Sequence, residues 1–208
     1  MSRPRIVWQP DPTVVARSQM AEFRGWLASR RGVVVTDYDA LWRWSVADLA
    51  GFWGAFAEFA GVRFHAQPQR VLTDESMPGT KWFPGTTLNY AEHALAPGAG
   101  EGPRKDADDL AVIFRREDGA RDELSFGLLR RRVAAARSAL VSLGVRRGDR
   151  VVALAPNSPD TLIPFLATAS LGAIWSSGSP DFGAGAIADR FTQLAPTVLI
   201  AVDGYRYG

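Results

Sequence analysis

Between Ser176 and Gly183 the chain reads SSGSPDFG, a stretch whose residue types could hold a ligand. Gly178 and Gly183 permit tight backbone paths, and the serines can satisfy buried amides. Ahead of a helix N-terminus, such a turn can bind an anion. Asp181 works against that, because its carboxylate competes for the same positive helix end. A structural turn and a ligand turn both fit the residues. Other candidates carry less chemistry. His65 and His93 stand far apart with no motif around either, and read as surface or hydrogen-bonded residues. Pro84-Gly85-Thr86-Thr87 has the composition of a phosphate cradle but no lysine after it, so it reads as a turn. No Gly-x-x-x-x-Gly-Lys-Ser/Thr loop and no His-Glu-x-x-His pair occurs. Cysteine is absent, which excludes disulfides and thiolate metal sites. From these residues the sequence assigns no catalytic group and no metal ligand.

The elements that must position the SSGSPDFG turn lie on either side of it. Val151 to Ala155 is a continuous apolar run, as expected of a parallel strand buried on both faces. Asn157-Ser158-Pro159-Asp160 is a turn and cap, followed by a helix over about 161–171 that stops at Gly172. Ala173 to Ser177 predicts a second strand, 186–194 a helix and 197–202 a third strand. This βαβαβ order implies one parallel sheet. In such sheets ligands bind outside the carboxyl ends of the strands. Upstream, 110–115 and 120–125 predict a hairpin around Asp118-Gly119. Ser125 caps a helix over 126–143 that ends at Gly144. Its arginines, Arg130, Arg131, Arg132 and Arg137, read as a solvated face rather than a phosphate or RNA site.

The first part of the chain is aromatic and helical. Six of the seven tryptophans precede Asn89. Asp11-Pro12 opens a helix with Val15, Phe23, Trp26 and Leu27 on one face and Gly32 as its stop. A second helix is expected over 46–60, capped by Ser45, with Asp48 in its first turn and Gly61 after it. Its Leu49, Trp53, Phe56 and Phe59 recur at helical steps. Having almost no Lys or Arg, it reads as a packing layer rather than a membrane-surface helix. Ala96 to Lys105, APGAGEGPRK, has linker composition.

Composition narrows the class. The 208 residues are 47% hydrophobic with a formal net charge of +2, which excludes disorder and gives no case for nucleic acid. The N-terminus lacks the apolar core of a secretory signal. The uncharged stretch 161–180 is long enough to span a bilayer, but Pro164, Gly172 and Gly178 interrupt it, so a buried helix and strand explain it better. These traits suit a cytoplasmic protein without membrane attachment.

Particular residues carry a family resemblance. Trp82-Phe83-Pro84-Gly85 with Leu88-Asn89-Tyr90 resembles the N-terminal signature of the acetyl-CoA synthetase group. Gly148-Asp149-Arg150-Val151, Pro156-Asn157-Ser158-Pro159 and Leu171-Gly172-Ala173-Ile174-Trp175 resemble the first sheet units of adenylate-forming acyl-CoA ligases. Ser179-Pro180-Asp181-Phe182-Gly183, Asp189-Arg190-Phe191 and Asp203-Gly204-Tyr205 narrow the resemblance to the acetoacetyl-CoA synthetases. In that family cysteine often stands where this chain has Gly178.

The resemblance implies an α/β protein with an acetyl-CoA-synthetase-type region over 1–95, a linker over 96–106, and the first part of an AMP-binding domain over 107–208. It implies acetoacetate, ATP, coenzyme A and Mg²⁺ as substrates and cofactors of the complete enzyme. It places Arg206 near the coenzyme A nucleotide; an exposed arginine at a frayed end is the alternative. The family's phosphate loop, adenine and ribose motifs and lysine domain have no counterpart in these residues. The chain alone is therefore expected to lack adenylating activity, and the remainder of the ligase domain is its expected partner. Two rival readings are a non-catalytic binding module and a ligase for another short acid such as acetate or propionate. The apolar strand 197–202 is expected to leave an unpaired edge and poor solubility.

Overall fold

A computed structural model describes residues 6–97 and 105–205. The chain divides into two compact units, the first running through Thr87 and the second taking up at Leu88.

The first unit is helical. Helix α1, Pro12–Ala16, is capped by Asp11, whose carboxylate accepts the Thr13 N–H at 2.8 Å. The single helix expected up to Gly32 is instead broken. Ser18 adopts extended backbone and caps α2, Gln19–Trp26, by accepting the Ala21 N–H at 3.2 Å. A wider helical turn, Leu27–Arg31, follows and ends at Gly32, whose φ of 65° is the left-handed stop. The helix expected over 46–60 is also two. Asp37 opens α3, Tyr38–Ala47, by accepting the Ala40 N–H at 2.7 Å. Asp48 caps α4, Leu49–Phe59, by accepting the Gly51 N–H at 2.8 Å. Ser45 therefore lies inside α3, and Asp48 is the cap rather than a first-turn acid. Side-chain capping won at each break because it supplies an acceptor for otherwise unpaired N–H groups.

The core of this unit is aromatic. Phe23 is 4% exposed, with its ring centroid 5.0 Å from Phe59, 5.7 Å from Phe56 and 5.9 Å from Phe52. Leu27, Leu41 and Ala55 are buried in the same cluster. Edge-to-face ring pairs of this kind add to the area they bury. A short bridge between Leu72 and Trp82 carries the chain toward the Pro84-Gly85 turn. There Thr86 donates from its hydroxyl to Phe83 O at 2.7 Å, so the segment is a hydroxyl-pinned turn.

The second unit opens with α5, Tyr90–Leu95, a helix the sequence pattern missed because it is only six residues long. Asn89 caps it and also donates from Nδ2 to Ala169 O at 2.8 Å. The hairpin forms as expected from β1, Leu110–Arg115, and β2, Arg121–Ser125, paired antiparallel. Ser125 caps α6, Phe126–Ser142. Then come β3, Arg150–Leu154; α7, Pro159–Ser170; β4, Ile174–Gly178; α8, Ala184–Leu194; and β5, Val198–Ala201. Pro159 stands at the first position of α7, two residues before the expected start, where its missing N–H costs nothing.

The three strands form the expected parallel sheet, in the order β4-β3-β5. Val151, Trp175 and Val198 lie side by side in register, as do Val152, Ser176 and Leu199. The central strand is fully buried at Val151, Val152 and Ala153. One sheet face, with Val151, Trp175, Val198 and Ile200, packs into a core shared with α5, α6 and α7. On the other face Ile187 of α8 is buried, while Ile174 and Leu199 stay more than half exposed. Among the described residues no helix is long and apolar enough to cross a membrane.

Candidate functional site

The sheet topology gathers three polar loops at one end. Pro156-Asn157-Ser158 follows β3, Ser179 to Gly183 follows β4, and Val202 to Tyr205 follows β5. Backbone bonds hold them together: Ala155 donates to Gly178 O at 3.2 Å and Val202 to Leu154 O at 3.1 Å. The Thr161 hydroxyl donates to Pro156 O at 2.6 Å, fixing the first loop against the start of α7.

The SSGSPDFG segment is built around Asp181. Its Oδ2 accepts the Ser179 hydroxyl at 2.7 Å, and its Oδ1 accepts the Tyr205 hydroxyl. The Asp181 N–H donates back to Ser179 Oγ at 3.3 Å, and the Phe182 N–H donates to Ser179 O at 3.2 Å. Asp181 does not cap α8: its two oxygens accept the Ser179 and Tyr205 hydroxyls instead. Gly183 occupies the cap position of α8, no side chain caps that helix, and its first turn holds no acidic residue. Arg190, one α8 turn further on, lays its guanidinium over the Phe182 ring at 4.7 Å. The end of the sheet thus presents a helix N-terminus with its positive end uncapped by any side chain.

Contact with the movable end of the Ile187 side chain favours glycine at 178 without requiring it, and no dihedral angle demands it. A Cβ there would stand 2.7 Å from Ile187 Cδ1, so a cysteine or alanine needs Ile187 to change rotamer. The departure from the family pattern is thus a packing change under α8.

Of the other residues singled out by sequence, His93 lies on α5, its Nδ1 3.1 Å from Asn89 O, and His65 donates its backbone N–H to Thr87 O. They fall in different units. Arg131, Arg132 and Arg137 are exposed as expected. Arg130 is not: it donates to Leu95 O and Lys105 O, each at 2.5 Å, and stacks on Phe126 at 5.4 Å. It joins the two flanks of the segment expected to be a linker, most of which, 98–104, lies outside the described residues. Arg206 also lies outside them. Sequence reasoning missed Tyr205 as a partner of Asp181, since a contact across 24 positions leaves no local signal. Among the described residues no cluster of three or more His, Asp or Glu side chains could hold a metal ion.

An open parallel sheet with glycine- and serine-bearing loops at its strand ends places this molecule among α/β proteins that meet ligands at the carboxyl edge. Residues 101–206, a little over half the chain, match the model of AMP-binding enzymes, and residues 38–94 match that of the acetyl-coenzyme A synthetase N-terminus. The chain belongs to the AMP-binding enzyme family. It is 42% identical over its whole length to acetoacetyl-coenzyme A synthetase of Rhizobium meliloti (strain 1021), covering 31% of that protein. It is 37% identical over 98% of its length to acetoacetyl-CoA synthetase of Macaca fascicularis, covering 29% of it. It superposes on acetoacetyl-CoA synthetase from Streptomyces lividans with a TM-score of 0.86 at 44% identity, over 98% of this chain and 31% of that one. Malonamoyl-CoA synthetase of Penicillium aethiopicum is 33% identical over 91% of this chain, which covers 26% of that protein. The chain spans just under a third of the length of the acetoacetyl-CoA synthetases it matches.

Proposed function

We propose that this chain is the N-terminal part of an acetoacetate–CoA ligase. In that reaction an acetoacetate oxygen attacks the α-phosphorus of ATP and pyrophosphate leaves. The coenzyme A thiolate then attacks the acyl carbonyl, AMP leaves, and the thiol proton passes to solvent. The observation that carries the reading is likeness from end to end: 42% identity across the whole chain to one acetoacetyl-CoA synthetase, and a TM-score of 0.86 to another.

Within that reaction this segment supplies scaffold and one ligand-facing edge. The uncapped α8 N-terminus fits an anionic group better than a cation. The Mg²⁺ that would neutralise phosphate charge finds no carboxylate set among the described residues, so no metal step is assigned here. Arg206 is proposed, from the family resemblance alone, to contact coenzyme A. The proposed organisation is a 1–95 synthetase-type region, a 96–106 linker and a 107–208 opening of the AMP-binding domain. A cytoplasmic setting belongs to the same proposal, and the cysteine-free sequence is compatible with it.

The sequence holds no Gly-rich lysine loop for phosphates, so the 208-residue chain should show no acetoacetate-dependent ATP–pyrophosphate exchange by itself. Exchange above background would refute the inactivity. The ligase reading is tested by grafting residues 1–208 in place of the matching segment of the Rhizobium meliloti relative. A folded chimera should retain acetoacetate-dependent exchange and thioester formation; a folded but inert one would sink the reading. The malonamoyl relative favours one second reading, a ligase for a different short acid. Competing acids against acetoacetate in the chimera measures how far this segment affects the choice.

A further inference from the structure

We propose that Asp181 and Tyr205 form a strap across the carboxyl end of the central strand β3. The two residues leave from β4 and β5, which are not neighbours: β3 lies between them. Outer strands of such a trio are about 10 Å apart, two strand spacings. Asp181 stands three residues beyond β4 and Tyr205 four beyond β5. Tyr205 donates its hydroxyl to Asp181 Oδ1 across that gap. Other contacts stiffen the β4 side. Ser179 donates to Oδ2 at 2.7 Å, and Arg190 holds the Phe182 ring from α8 at 4.7 Å. The backbone bonds from Ala155 to Gly178 O and from Val202 to Leu154 O anchor both feet of the strap to β3.

The strap makes the two outer loops a single unit over the exit of β3. It also keeps the Asp181 carboxylate occupied beside an α8 N-terminus that no side chain caps. A ligand approaching the end of β3 meets the strap first, and opening it requires breaking the Tyr205–Asp181 bond. This rests on described contacts and stands whether or not the ligase reading holds.

The test is hydrogen–deuterium exchange of the 208-residue chain with Tyr205→Phe, Asp181→Ala and the double variant. Tyr205→Phe removes one bond to a charged oxygen, and Asp181→Ala removes that bond together with the one from Ser179. Amides of 179–183 should therefore exchange about three- to tenfold faster in Tyr205→Phe and at least as fast in Asp181→Ala. The double variant should be no faster than Asp181→Ala alone, because the Tyr205 bond is already lost there. Amides of α6 and α7 should be unchanged. Unchanged exchange at 179–183 in Tyr205→Phe would overturn the strap. So would additive effects in the double variant, or an equal rise in α6 and α7, which would mean that the residues stabilise the whole unit.

Discussion

Arg130 sits among the arginines of α6 but faces a different environment from Arg131, Arg132 and Arg137. Its guanidinium closes the C-terminal end of α5 through Leu95 O and reaches Lys105 O with a second nitrogen. Lys105 in turn donates to His93 O, at 2.5 Å. Two helix-end carbonyls are thus satisfied by cationic side chains, which also suits the negative end of α5. Charge-assisted, half-buried bonds of this type are stronger than neutral ones. Arg130→Ala should lower unfolding stability by about 2–3 kcal/mol, read by urea denaturation. Arg130→Lys should recover only part of the loss, since one ammonium cannot span both carbonyls as a fork does. A loss no larger than that of Arg131→Ala would sink this assignment. Thr168 makes the opposite case. Its side chain is fully buried in α7 and its Oγ1 has no hydrogen-bond partner among the described residues. A desolvated, unpaired hydroxyl opposes folding, and valine replaces it with a methyl of the same shape. Thr168→Val should raise stability by about 1 kcal/mol, and a fall in melting temperature would show that the hydroxyl is satisfied in solution.

Helices α1, α3 and α4 of the first unit depend on exposed carboxylates at their starts. The backbone N–H of Ala40 holds the Asp37 carboxyl below its ordinary value; desolvation is the next effect and opposes it, and the Thr36 hydroxyl and the charges of Arg43 and Arg24 assist to a lesser degree. Thr13 does the same for Asp11, its hydroxyl first and its N–H second. A carboxylate depressed in the folded state stabilises it fully above the unfolded value. That contribution is lost as pH falls through the depressed native value. Helical circular dichroism should therefore begin to decline on acidification below about pH 4. Asp37→Asn keeps an acceptor but cannot titrate, so its acid profile should be flatter. Superimposable profiles would remove Asp37 from the account. These caps also explain what was legible in the sequence. The βαβαβ unit could be read because its central strand is a buried apolar run and glycines fall at left-handed stops such as Gly144 and Gly172. The first unit was harder. Aromatics recur so densely there that helical periodicity runs straight through the breaks at Ser18 and Asp48. At the sheet end, the Ser179 to Gly183 turn could be found from composition. Its closure by Tyr205 could not, because the bond depends on sheet order.

At the scale of the molecule the two units differ in how well their elements cover one another. The first surrounds Phe23 with rings, and the second buries β3 completely. The sheet around β3 is less protected. Its order leaves β4 and β5 each with one edge unpaired by another strand among the described residues. The sheet face opposite α6 and α7 exposes Ile174 at 53% and Leu199 at 57%, with α8 covering only the neighbourhood of Ile187 and Gly178. Two open edges beside an uncovered apolar face form a template for strand addition, and such surfaces drive self-association. The 208-residue chain should therefore associate as its concentration rises, seen as an increasing weight-average mass in sedimentation. Leu199→Lys places a charge on the uncovered face of β5, where the leucine buries little, so the fold should survive while association weakens. Charge on an edge strand is a device that natural sheets use against this pairing. A substitution on α6 such as Val141→Lys, at a residue 50% exposed but away from the sheet, should leave the association unchanged. If the parent chain stays monomeric at high concentration, or if both lysine variants behave alike, the open sheet is not the sticky surface.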